Sequence, residues 1–266
     1  MTASTLPSIK QLFTFRWKPN RDLAIVALSW ILVVGALSMS TFVVGQEILG
    51  GMGYFLFYAV IGATLCGIGL PLYWMVVVNK RPLSDLGLTF QNWKLSLIIQ
   101  ILLTLLINVP RLLKLDIPPF QQFFPLLCMA LAIGFFEAVF WRGWLQLCLE
   151  EAFGIRPAIL IASALYAVYH IGYGMPASEM VFLFFIGLMF AVVFRITKSV
   201  LILWPLFQPG GQLITLVSDG LTLPFLAFLG FVDALALMLF LVWWANKYYK
   251  KHSGTLPVKA GAGSLA

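Results

Sequence analysis

Residues 122–147 read QFFPLLCMALAIGFFEAVFWRGWLQL, an apolar and aromatic run broken by two charges, Glu137 and Arg142. The hydrocarbon core of a bilayer takes about 20 consecutive apolar residues of helix, so the run predicts a membrane span that keeps two ionisable side chains. Working outward from it, further runs meet or approach span length near 23–44, 53–78, 95–109, 157–175, 180–196, 199–217 and 223–245. The run at 95–109 is short and stops at Pro110, and that at 199–217 is interrupted by Pro205, Pro209, Gly210 and Gly211. The expected fold is all-α, a polytopic membrane helix bundle of about eight transmembrane helices. The composition agrees: the chain is 61% hydrophobic and 10% charged, whereas a soluble domain is about a quarter charged.

The basic residues divide the loops into two sets, and cytoplasmic loops collect Lys and Arg. Lys10, Arg16, Lys18 and Arg21 precede the first run, and Lys80, Arg81 and Lys94 follow the second. Arg156, Arg195 and Lys198 fall in alternate later loops, and Lys247, Lys250, Lys251 and Lys259 close the chain. Only Arg111 and Lys114 fall in a loop of the other set, so both termini are expected in the cytoplasm. The net charge of +7 then reads as a topology signal with attraction to anionic lipid. The bases are scattered over loops, so no nucleic acid is expected as a partner.

Residues 1–22 read as a basic cytoplasmic or interfacial segment. Residues 23–250 form one transmembrane domain, and 251–266 read as a disordered cytoplasmic tail. The first run is long enough to remain as a helix, so no cleaved signal is expected. Cys66, Cys128 and Cys148 lie inside apolar runs without the spacing of a disulfide framework or zinc knot. Size and the lack of targeting extensions suggest a prokaryotic inner membrane. Oligomeric state is not legible.

A charge at the bilayer centre costs about 2.5–3.5 kcal/mol on insertion scales, and such residues face a cavity or a partner. The runs hold four: Glu137, Arg142, His170 and Asp233. Each has a bland reading beside the functional one. Arg142 is a snorkelling residue or the partner of something on another element, and Glu137 a protonated, hydrogen-bonded carboxyl or a reactive group. His170 is a satisfied polar residue or a catalyst, and Asp233 a packing partner or a further site candidate.

Glu137 and Arg142 are five apart, about 140° around an α-helix, so the spacing does not make them a same-face pair. Tyr166 and His170 are four apart and share a face. A carboxylate and an imidazole on adjacent antiparallel spans have the chemistry to hold and deprotonate a water. In "LWPLFQPGGQL" (203–213), Pro209 and the glycines predict a break in the helix. Gln208 and Gln212 flank it, as amide donors to a substrate carbonyl or oxyanion, or as hydrogen-bond partners of a packing kink.

The segment "EAVFWRG" (137–143) resembles the first motif, E-E-x-x-x-R-G, of the CAAX protease and bacteriocin-processing family of intramembrane endopeptidases. "YAVYH" (166–170) is similar to its second, F-x-x-x-H, and "RPLSDLGL" (81–88) to a loop ahead of the core. The resemblance covers about residues 80–215. It implies that Glu137 is the water-activating glutamate, Arg142 the motif arginine, Tyr166 the motif aromatic and His170 the motif histidine. The chain departs from the pattern at Ala138, where the family has its second glutamate. A third motif, H-x-x-x-N, falls on Gln208 to Gln212 without its histidine or asparagine.

One histidine, one glutamate and Asp233 fall short of the three ligands of a catalytic zinc, so neither zinc nor another cofactor is expected. The leading expectation is a glutamic intramembrane endopeptidase acting on a membrane-associated peptide, with Glu137 and His170 catalytic and Arg142, Tyr166, Gln208 and Gln212 auxiliary. The alternatives are an inactive pseudoprotease that binds peptide as an immunity or scaffold protein, and a small-solute or proton-coupled transporter.

Overall fold

A computed structural model describes residues 15–44, 53 and 55–253. The expectations for residues 1–14 and for the tail from 254 onward lie outside the described residues. Among the described residues seven helices are long and apolar enough to cross a membrane: α1 Arg21–Val44, α2 Phe55–Val78, α3 Trp93–Leu112, α4 Phe120–Phe153, α5 Ile155–Tyr173, α6 Ala177–Thr197 and α8 Ala227–Ser253. Between the last two lies a shorter helix, α7, Phe207–Ser218. No strand occurs among the described residues. The chain is an all-helical, multi-pass integral membrane protein.

Two expectations change. The run at 199–217 is not one span: Ser199 is extended, Val200–Ile202 forms a single 3-10 turn, and regular helix begins only at Phe207. The break therefore precedes Pro209, which sits in the first turn of α7. There a missing N–H removes no helical bond, so the two glycines after it remain helical. Helix α8 also takes in Lys251–Ser253, which were expected to belong to the tail.

The helix starts and ends are chemically marked. The Asn20 side chain caps α1 by accepting from the Leu23 amide at 3.1 Å, with Asp22 in the first turn where the helix dipole favours an anion. Asp22 also accepts from Trp74 Nε1 at 2.7 Å and Asn79 Nδ2 at 3.0 Å, which ties the start of α1 to the end of α2. Beside them Arg81 bonds Asp85 at 2.7 Å and takes both carboxylate oxygens of Glu151 at the end of α4. The Glu151 bond, aided by Asp85, lifts the Arg81 guanidinium above its ordinary range against the cost of burial.

Arg16, Arg81, Arg195 and Lys198 share a cavity of about 370 Å³ at this end with Asp85, Glu150 and Glu151. Lys250, late in α8, lines a groove with Pro82 and Ser84, while Arg111 meets Thr215 at the opposite end. Residues 199–218 thus traverse the bundle although α7 alone is too short to span. The described chain begins and finishes at the same end.

α4 is the central helix: 72% of its most apolar window is buried, against 11% for α8. Trp141, Trp144, Phe136 and Phe140 on it are fully buried, and Trp144 Nε1 donates to Ser29 Oγ of α1 at 3.0 Å. A Cβ on Gly143 would stand 2.0 Å from the Leu86 carbonyl oxygen. That contact explains the glycine after Arg142, because the backbone of the loop "RPLSDLGL" lies directly on α4 at that point.

Candidate active site

Glu137 stands midway along α4 and is 3% exposed. Its Oε2 accepts from Gln208 Nε2 at 2.7 Å, and the buried Tyr166 phenol is near enough to act on it electrostatically. Gln208 reaches it because α7 packs against α4 at Gly134, where a Cβ would meet Pro209 Cγ at 2.7 Å. A side chain at position 134 would hold the two helices apart, three residues before the carboxylate.

Arg142 is 1% exposed, which excludes the snorkelling reading. Its guanidinium carbon lies 5.4 Å from the Tyr166 ring centre, and Glu137 and Arg142 act on each other electrostatically. The α-helical angle had set the two apart. Residues Ala138–Gln146 are π-helical, and i→i+5 bonding widens the turn so that residues five apart come over one another. Tyr166 consequently touches both. Neither terminal nitrogen of Arg142 has a hydrogen-bond partner among the described residues. The residue one α-helical turn before it, where the related motif has a second glutamate, is the fully buried Ala138.

His170 lies one turn beyond Tyr166, in the 3-10 turn His170–Tyr173 that ends α5. Nδ1 donates to the Tyr166 carbonyl at 2.9 Å, so the other ring nitrogen, Nε2, keeps an acceptor lone pair. The ring is surrounded by Tyr166, Tyr169 and Tyr173, with centroids 5.1, 4.7 and 5.6 Å away. The Tyr169 hydroxyl bonds those of Tyr58 and Tyr173 at 2.6 and 3.0 Å. Among the described residues His170 makes no hydrogen bond to Glu137, and the Tyr166 ring packs against the imidazole nearly at right angles. Gln212 is half-buried one turn after Gln208, and its Oε1 has no hydrogen-bond partner among the described residues. Asp233 is exposed on α8 and forms no hydrogen bond or ion pair with this group.

The structure therefore gathers Glu137, Arg142, Tyr166 and Gln208, sets His170 and Gln212 one turn away, and leaves Asp233 outside. Three residues escape a census of ionisable residues: Gly134, which admits α7, and the buried amides Gln100 and Asn108 of α3. Polar residues inside an apolar run are the signal that marks the amides. No group of three or more His, Cys, Asp or Glu side chains is placed to hold a metal ion among the described residues. The donor set does not fit a three-ligand zinc.

Residues 119–207, about a third of the chain, match the family model described as type II CAAX prenyl endopeptidase Rce1-like. The match is to the family that the two motifs resemble; it contains Glu137, Arg142, Tyr166 and His170 and stops one residue before Gln208. No curated protein and no solved structure matches the chain.

Proposed function

We propose that the chain is an intramembrane endopeptidase of the glutamic type, hydrolysing a peptide bond of a membrane-associated substrate. One observation carries the reading. A carboxylate buried at the centre of the bundle is held by an amide from another helix, within a segment that matches a membrane peptidase family.

In this reading Glu137 takes a proton from a water whose oxygen attacks the substrate carbonyl carbon. The second amide hydrogen of Gln208, not used on Glu137, donates to the oxyanion. Glu137 then returns its proton to the leaving amine as the carbon–nitrogen bond breaks. Arg142 balances the charge of Glu137, and His170 Nε2 serves as an acceptor at the margin of the site.

Ala138 and Gln208 favour a second reading, in which Glu137 is closed off by the Gln208 amide and the chain binds peptide without cleaving it. Both are tested in proteoliposomes with internally quenched peptides carrying either an apolar membrane anchor or a C-terminal prenyl chain, with products identified by mass spectrometry. Cleavage that falls at least about 100-fold in Glu137→Gln, with the melting temperature held, is the expected result. Tight peptide binding by the unaltered protein without product would establish the second reading, and cleavage unchanged in Glu137→Gln would end the first.

A further inference from the structure

Apolar packing does not account for the buried side of α3. It is strongly apolar, yet its buried residues are three polar ones, Ser96, Gln100 and Asn108. They are 0%, 1% and 4% exposed. All three side chains bond one stretch of chain, Thr197–Phe207. Ser96 Oγ donates to Thr197 Oγ1 at 3.0 Å. Gln100 Nε2 donates to the Leu201 carbonyl at 2.9 Å, while its Oε1 accepts from the amides of Leu206 and, at 3.3 Å, Phe207. Asn108 Nδ2 donates to the Phe207 carbonyl at 2.8 Å.

Irregular backbone at membrane depth persists only where its polar groups find partners, and α3 supplies them. It takes Phe207 by both its N–H and its C=O. The next residue is Gln208, whose side chain meets Glu137.

We propose that Gln100 and Asn108, with Ser96, are positioning residues for the reaction: α3 is a polar strap that sets the depth and rotation at which Gln208 is delivered to Glu137. The inference rests on the reading of Glu137 as the base, and a readout independent of cleavage separates the two. Gln100→Met removes the amide at nearly constant length, and Gln100→Glu keeps the oxygen that accepts from Leu206 and Phe207.

Hydrogen exchange of the reconstituted full chain is followed in peptides covering 201–208 and, for comparison, α5. In Gln100→Met and Asn108→Ser, exchange at 206–208 rises about tenfold while α5 is unchanged. On a cleaved peptide kcat falls about tenfold with KM held, and Gln100→Glu restores most of both. If Glu137→Gln still cleaves, the base reading fails and the exchange data alone decide the strap. Unchanged exchange at 206–208 in both variants overturns it. So does a loss of protection spread evenly over the bundle, in Gln100→Met and the milder Asn108→Ser alike, because these residues would then serve general stability.

Discussion

Adding one methyl group at Gly134 should disable the site with little loss of fold. The Cβ of Gly134→Ala would stand 2.7 Å from Pro209 Cγ and 3.3 Å from its Cδ. Ordinary contact begins at 3.4 Å, so the ring, which is tied to its own backbone, must retreat by at least about 0.7 Å. A first turn of α7 that moves as a unit carries Gln208 with it. The 2.7 Å bond to Glu137 then lengthens beyond the usual limit of about 3.2 Å for N–H···O.

Overpacking costs about 1–3 kcal/mol, and replacing a mid-helix glycine by alanine returns about 1 kcal/mol, so the net loss of stability stays near 0–2 kcal/mol. A displacement of this size at a reacting centre costs about 100-fold in rate. Cleavage of the quenched peptide, measured beside thermal unfolding, should thus fall by about two orders of magnitude while the protein stays folded. Gly35→Ala is the control, because its Cβ meets nothing within 4 Å. A fully active Gly134→Ala protein would refute the link from Gly134 through Pro209 to Gln208.

Gly143→Ala should be destabilised by at least about 1–3 kcal/mol, because its Cβ would meet backbone, the Leu86 carbonyl at 2.0 Å, rather than a yielding side chain; a thermal shift assay reads this, and an unchanged melting temperature would show that the loop 83–88 is free to move away. Arg142→Ala should lose about 3–5 kcal/mol as well as cleavage, because it leaves the Glu137 charge buried without compensation. A stable and active Arg142→Ala protein would show that Glu137 does not depend on the pair.

The fold class was legible because hydropathy over a span-length window is a one-dimensional signal. Glu137 and Arg142 stood out for a related reason, since a charge inside a 26-residue apolar run has few explanations. The rest depends on geometry that no residue type declares. How Arg142 stands toward Glu137 turns on the winding of Ala138–Gln146, which is π-helical, and no residue type marks such a stretch in the sequence. Pro209 was read as a breaker because prolines interrupt helices, but in a first turn proline is accommodated. The interruption instead falls at Ser199–Leu206, the stretch whose polar groups α3 receives. Gln100 and Asn108 carry no charge, so a census of ionisable residues passes over them, and their contacts show only when that stretch lies beside them.

A charged or amide side chain in a membrane bundle must be offset where it lies, and here the offsets are mutual. Glu137 and Arg142 balance each other with Tyr166 between them, Gln208 bonds the carboxylate, and α3 holds the residue before Gln208 by both its backbone groups. Each polar group is thereby a condition for the placement of the next. A bundle that needed only stability would be served as well by apolar residues at these positions, since replacing a buried ion pair with well-packed hydrophobic side chains is often neutral or stabilising. The chain instead keeps a polar layer drawn from α3, α4, α5 and α7. It also leaves both terminal nitrogens of Arg142 and the Oε1 atoms of Gln208 and Gln212 without partners among the described residues. Under the proposed function, these open hydrogen-bonding groups are the ones that a water and a peptide group would take.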